Sequence, residues 1–160
     1  MKFVKFLFKK INSLKIIILK KVRYLYFYIV VKKIGKEAKI LGRVFLYVPE
    51  NISIGNRTSF NDSVIINGFG GVEIGDDVHI SPGVIINSGG LEYKNIEKER
   101  SHIIKTVKIH SGVWLASGVI INPGVEIGGN SVIGAGSVVT KNIPPNEVWV
   151  GVPARFLKNI

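Results

Sequence analysis

Proton transfer, metal ligation and covalent catalysis each need particular side chains, and this chain supplies few of them. It has three histidines, His79, His102 and His110, and no cysteine. The missing thiols exclude disulfide scaffolds, thiolate zinc sites and cysteine nucleophiles together, and they fit a reducing compartment. Histidine titrates near neutral pH, so a general base is sought first among these three. His79 and His110 stand in regular repeat frames, at outward or corner positions, where they decorate a wall. His102 stands in a stretch outside the repeat, after Arg100 and Ser101, and is the candidate base, with His79 as the alternative. Lys141, Arg155 and Lys158 are the only lysines or arginines after Lys108, cations suited to a phosphate-bearing ligand.

What positions these residues is a period of six. Aliphatic or aromatic residues fall at Ile54, Phe60 and Ile66, at Ile74, Ile80 and Ile86, and at Ile109, Leu115, Ile121, Ile127, Ile133 and Val139. Four positions on from each apolar residue, a small or β-branched one recurs, among them Thr58, Val78, Val113 and Ser131. Neither a helical nor a plain strand period generates this spacing. Short repeats of this kind specify a parallel β-helix, in which three hexads close one triangular coil and the apolar position points inward. Small residues let the chain turn at the corners.

The period breaks in two places. Gly70 and Gly71, with Val72 and Glu73, shift the register by two residues between coils. The larger break runs over residues 92–108, a charged excursion holding Tyr93 and His102. A loop thrown out of a solenoid is a place to look for function.

A chain of 160 residues fits one domain, yet its charge is divided. Residues 1–36 carry eleven lysines and arginines and no acid, whereas residues 37–160 balance eleven against eleven. The chain therefore reads as a basic arm, 1–36, on a neutral body, 37–160. Within the arm Phe3, Leu7, Ile11, Leu14, Ile18, Val22, Leu25 and Ile29 recur at steps of three and four, a continuous helical stripe. Lysines interrupt every apolar run, so the arm is neither a spanning helix nor a secretory signal. A lysine-rich amphipathic helix of this kind is expected to lie on an anionic membrane surface through residues 1–33; packing on the body or on a sister subunit is the alternative. Nucleic acid is not expected as a partner, because the neutral body offers no second basic surface.

The stretch Ile109–Arg155 carries GVW, INPGV, IGAGSVVTK, IPPN and GVPAR in order and in frame. These motifs resemble the hexapeptide-repeat acyltransferases, nearest to the maltose/galactoside and the capsule or lipopolysaccharide sugar O-acetyltransferases. The resemblance covers residues from about 40 to 160 and leaves the arm outside. It implies a left-handed parallel β-helix, an exception to right-handed crossovers, assembled as a homotrimer with acetyl-CoA between neighbouring subunits and no metal. It further implies that a loop histidine takes a proton from an acceptor hydroxyl, which attacks the thioester while backbone N–H groups hold the oxyanion.

Matched residue by residue, Asn61 corresponds to the family asparagine beside the acceptor hydroxyl and Trp114 to the tryptophan bordering the cleft. Ser117 and Ala135 correspond to residues along the pantetheine arm. Thr140 and Lys141 match the pair near the nucleotide, with Arg155 and Lys158 as phosphate partners. One departure stands out: Leu91 occupies the usual place of the catalytic histidine, which is why the base is sought at His102. The implied activity is O-acetylation of a sugar in a surface polysaccharide or its lipid-linked precursor, at the cytoplasmic face of the cell membrane. Its rivals are a catalytically inactive scaffold, an acetyltransferase for a soluble acceptor such as a free sugar or serine, and a zinc-dependent carbonic anhydrase of the same fold.

Overall fold

The computed structural model describes residues 2–92 and 101–160. Helix α1 (Lys2–Val30) leads into a left-handed parallel β-helix of five coils. The first coil is β1 (Lys33–Ile34), β2 (Lys39–Ile40) and β3 (Val44–Tyr47), and the second is β4 (Ile52–Ile54), β5 (Ser59–Phe60) and β6 (Val64–Asn67). The third, β7 (Val72–Ile74), β8 (His79–Ile80) and β9 (Ile85–Asn87), is followed by a hairpin of β10 (Gly89–Leu91) and β11 (His102–Ile104). The fourth coil is β12 (Val107–Ile109), β13 (Trp114–Leu115) and β14 (Ile120–Ile121), and the fifth is β15 (Glu126–Ile127), β16 (Val132–Ile133) and β17 (Val138–Val139). A closing pair, β18 (Glu147–Val150) and antiparallel β19 (Arg155–Asn159), extends one face beyond the last coil.

Stacking the coils makes three faces. Face I is β1-β4-β7-β12-β15, face II is β2-β5-β8-β13-β16-β18-β19, and face III is β3-β6-β9-β14-β17. The six-residue period places Ile54, Phe60, Ile66, Ile80, Ile86, Leu115, Ile121, Ile127 and Ile133 inside, each buried. Burial of such side chains contributes about 1.5–3 kcal/mol each. The period starts earlier than Ile54: Ile34, Ile40 and Leu46 hold the same spacing in the first coil.

The recurring small residues are buried beneath the edges and hydrogen-bonded there. Thr58 Oγ1 donates to Gly75 O at 2.8 Å, and Ser131 Oγ donates to Pro144 O at 2.8 Å. On the edge between faces I and II, Glu37, Arg57, Asp77, Asn130 and Asn146 all take a left-handed φ of 53–62°. Four of these side chains also bond to the neighbouring coil, Arg57 to Asp77 and Asn130 to Asn146.

Helix α1 closes the open end of the first coil. Phe27 is buried and packs on Phe60, ring centroids 5.8 Å apart. Arg23 donates to Leu41 O at 2.8 Å and Tyr24 to Gly35 O at 3.3 Å. Gly35 and Leu41 donate their own N–H groups to Ile54 O and Phe60 O of the second coil, so the helix satisfies carbonyls at the free end of the stack. No described helix is long and apolar enough to cross a membrane.

Candidate active site

Two edges of the prism, on either side of face III, hold the candidates. The edge between faces II and III is built from the turns 61–63, 81–84, 116–119 and 134–137. It carries Asn61 in the second coil, Ser117 in the fourth and Ala135 in the fifth. Asn61 is fixed by its amide, which donates to Ile80 O at 3.0 Å. Gly83, Gly118 and Gly136 line the same edge with φ of +71°, +69° and +68°. A Cβ on Gly136 would meet nothing within 4 Å, and one on Gly118 only the Gly136 backbone at 4.0 Å. The edge is thus a smooth strip of backbone, exposed at Ser117 and Ala135.

Face II supplies the wall beside this strip. Its outward row runs Lys39, Ser59, His79, Trp114, Val132, Val148 and Lys158 by strand register. The Trp114 indole donates to Ser81 Oγ at 3.1 Å, leaving its ring half-exposed along the edge. His79 Nδ1 is hydrogen-bonded to Ser59 Oγ at 2.9 Å. Above the last coil, Ala154 N donates to Val138 O at 2.8 Å and lays the turn 151–154 on β17. This sets Arg155, opposite Val150, at the top of the strip. Lys158 lies further along β19, facing Val148.

Thr140 and Lys141 follow β17 at the same end of the stack but leave from the edge between faces III and I. Lys141 reaches back across the end, its Nζ 5.5 Å from the Trp149 ring centroid. The three cations therefore gather at one end of the β-helix, with only Arg155 directly over the strip.

His102 is on the other edge of face III. The hairpin β10–β11 leaves there, pairing Gly89 with Ile104, Gly90 with Ile103 and Leu91 with His102. Ser88 anchors its base, donating to Asn67 O at 2.6 Å and accepting from Gly70 N at 2.9 Å. Thr106 Oγ1 donates to Gly70 O at 2.8 Å where the chain rejoins the coil. The His102 imidazole packs on Phe69, centroids 5.5 Å apart. Together with Tyr47, Asn67, Gly89 and Leu91 they line a hollow of about 360 Å³. Tyr93 and Arg100 lie outside the described residues.

Within one chain the structure does not bring His102 to Asn61. Each coil of face III separates them, and the outward row of that face is Phe45, Ile65, Ile85, Ile120 and Val138. The sequence period predicts inward residues and is silent about this apolar outward row. The alternation of Val64-Ile65-Ile66 and Ile120-Ile121, apolar in both phases, could have revealed it.

His110 sits apart from all of these, on the edge between faces I and II. Its Nε2 is 2.6 Å from Glu126 Oε1, and this hydrogen bond, with the Lys108 charge, holds the Glu126 carboxyl below the usual carboxylate range. The three histidines thus occupy three separate parts of the surface.

Residues 106–141 match the bacterial transferase hexapeptide family (six repeats). Over 128 residues the chain is 41% identical to the galactoside O-acetyltransferase of Escherichia coli (strain K12), covering 79% of this chain and 63% of that one. It therefore spans under two thirds of that relative's length. Among solved structures it is similar to a galactoside acetyltransferase in complex with coenzyme A, at 38% identity and a TM-score of 0.82, covering 86% of this chain and 69% of that one. It is similar as well to a hexapeptide-repeat acetyltransferase of Vibrio cholerae O1 biovar eltor complexed with acetyl coenzyme A. There the identity is 29% and the TM-score 0.80, over 87% of this chain and 76% of that one.

Proposed function

The chain belongs to the hexapeptide-repeat transferases, and we propose that it moves an acetyl group from acetyl-CoA to a hydroxyl of a sugar in a surface polysaccharide or its lipid-linked precursor. The observation that carries this reading is the pair of candidate edges flanking one apolar face. Burying Phe45, Ile65, Ile85, Ile120 and Val138 against copies of themselves around a threefold axis removes a partly exposed apolar surface. The same packing sets the Asn61 edge of one subunit against the His102 edge of the next. A site split within the chain becomes whole between chains.

The strip fits the coenzyme. Glycines and small residues at Ser117 and Ala135 leave backbone free for an extended pantetheine arm, and Arg155, Lys158 and Lys141 gather where its phosphates would lie. Asn61 and Trp114 border the reacting end. In the reaction His102 takes the proton of the acceptor hydroxyl while the oxygen forms a bond to the thioester carbonyl carbon. The tetrahedral intermediate then collapses, breaking the carbon–sulfur bond, and the departing thiolate recovers the proton from His102. No metal takes part in these steps.

The helix of the basic arm is the membrane-contacting part, and the β-helix, which begins at β1 (Lys33–Ile34) rather than at residue 37, is the transferase domain. Through residues 1–33 the arm holds the enzyme on anionic lipid, peripheral on the cytoplasmic face of the cell membrane. That location suits a lipid-linked acceptor. Leu91 in the place of the family histidine favours one rival, a catalytically inactive scaffold, and one assay separates the two. Release of free coenzyme A is followed with a thiol reagent, to which this cysteine-free chain is silent. Acceptor-dependent thiol release supports the transferase; none with any lipid-linked, polymeric or free sugar, nor with serine, leaves the scaffold. Mass spectrometry of surface glycan from cells with and without the gene identifies the acetylated sugar.

A further inference from the structure

The arm's apolar stripe and its contact with the body lie on opposite sides of α1. At about 100° per residue, Leu25 and Ile29 are each turned about 160° from Phe27, and Ile18 about 180°. Phe27 is 2% exposed, whereas Ile29 is 71% and Ile11, Leu14, Ile18, Val22 and Leu25 are each more than half exposed. Lys9 and Lys20 share the side of Phe27, away from the stripe. The β-helix itself leaves the stripe uncovered, because it needs the other side of the helix to close its first coil through Phe27, Arg23 and Tyr24.

From this we infer that the protein stands end-on upon an anionic lipid surface, first coil nearest the lipid and the β18–β19 pair farthest from it. The inference rests on the membrane reading above and adds a direction to it. A helix lying in the interface buries its apolar face and keeps its lysines at headgroup level, where each gains about 1 kcal/mol from anionic lipid. With the stripe down, Phe27 points up, and the stack rises from it. Face II runs from β2 to β19 through seven strands, which at about 4.8 Å per strand sets β19 roughly 30 Å above the first coil. Arg155 and Lys158 then face the aqueous side, from which a phosphorylated coenzyme arrives. Asn61, in the second coil, stands nearer the lipid. The acceptor this geometry suits is a sugar raised from the bilayer on a carrier of its own, entering from below as the coenzyme enters from above.

The chain has no cysteine, so single labels report position cleanly. Ile18→Cys on the stripe, Lys36→Cys at the first coil and Leu157→Cys on β19 are each labelled with an environment-sensitive fluorophore. The full-length protein is then mixed with vesicles of phosphatidylcholine alone or with phosphatidylglycerol. Expected with the anionic vesicles are a blue shift and quenching by acyl-chain nitroxides at position 18 only. Energy transfer to a headgroup dye should be strong at position 36 and several-fold weaker at position 157. Equal transfer at 36 and 157, or the reverse order, overturns the end-on stance while leaving membrane binding intact. No uptake by either vesicle, with the position 18 label already shielded in solution, overturns both and shows the stripe covered by a second copy.

Discussion

Leu91 and His102 face each other across the β10–β11 hairpin as direct cross-strand partners. Opposed residues of an antiparallel pair hold their Cβ atoms about 4.5–5.5 Å apart and on the same face of the ribbon. A histidine on either strand of this hairpin therefore presents its imidazole to nearly the same space. In the proposed mechanism His102 therefore stands in for the family histidine at position 91, an exchange across the hairpin.

That exchange makes a test. His102→Ala should lower kcat by about 10²–10⁴-fold, the range for a positioned base, with acetyl-CoA affinity little changed. Installing the imidazole on the facing strand, in the double variant L91H/H102L, should recover part of the loss. Steady-state thiol release measures both. Full activity in His102→Ala would move attention to His79, beside Ser59, and full activity in both single alanine variants would dispose of histidine base catalysis here.

The cofactor end offers a second. Arg155→Ala and Lys141→Ala should each raise the KM for acetyl-CoA more than the KM for the acceptor. Charge-assisted contacts are worth about 1.5–3 kcal/mol when shielded and less on exposed side chains such as these. The Arg155 change should be the larger, since Arg155 lies over the strip while Lys141 spans the end of the stack above Trp149. Unchanged KM values in both variants would remove the phosphates from this end.

Much of this was legible in the residues, and the limits have physical causes. A six-residue period is enough to fix a β-helix because the inward column must be apolar in every coil. The same logic hid the first coil: Ile34, Ile40 and Leu46 keep the step, but a lysine-rich context and the adjoining helix blur where it begins. The hairpin was legible only as an absence of period. Its start at Gly89, inside what reads as the end of a regular coil, depends on Ser88 bridging Asn67 O and Gly70 N, a contact no spacing reveals. Least legible was the separation of Asn61 from His102, because which edge a residue occupies depends on counting turns across an irregular insertion.

Acid should act on the edge between faces I and II. Asp76 accepts from the Asn56 backbone N–H at 2.6 Å and from its amide, and these bonds hold its carboxyl below the usual range. Asp77 is held down likewise by the Arg57 guanidinium. A carboxyl whose folded pKa is depressed contributes stability above its unfolded value, about 3.9, and loses it as pH falls through the folded one. Thermal midpoints should therefore be level near neutrality and drop below about pH 4. Asp76→Asn, which keeps an acceptor but cannot titrate, should drop less steeply. A parallel fall in wild type and variant would mean that this carboxyl does not contribute.

The most demanding test concerns whether the site is shared. If face III packs around a threefold axis, each site takes His102 from one subunit and Asn61 from its neighbour. Ile120→Glu, placing a charge in the middle of that face, should then yield monomers by light scattering, still folded by circular dichroism but inactive. Subunit mixing probes the sharing directly. His102→Ala and Asn61→Ala trimers should each be impaired, and unfolding and refolding them together at equal amounts would reshuffle the chains. By random assembly about one quarter of the sites in a cyclic trimer would draw an intact His102 and an intact Asn61 from adjacent chains. Activity should rise above the mean of the two parents refolded alone, to about a quarter of wild type plus half that mean. A mixture no more active than that mean would overturn the shared site.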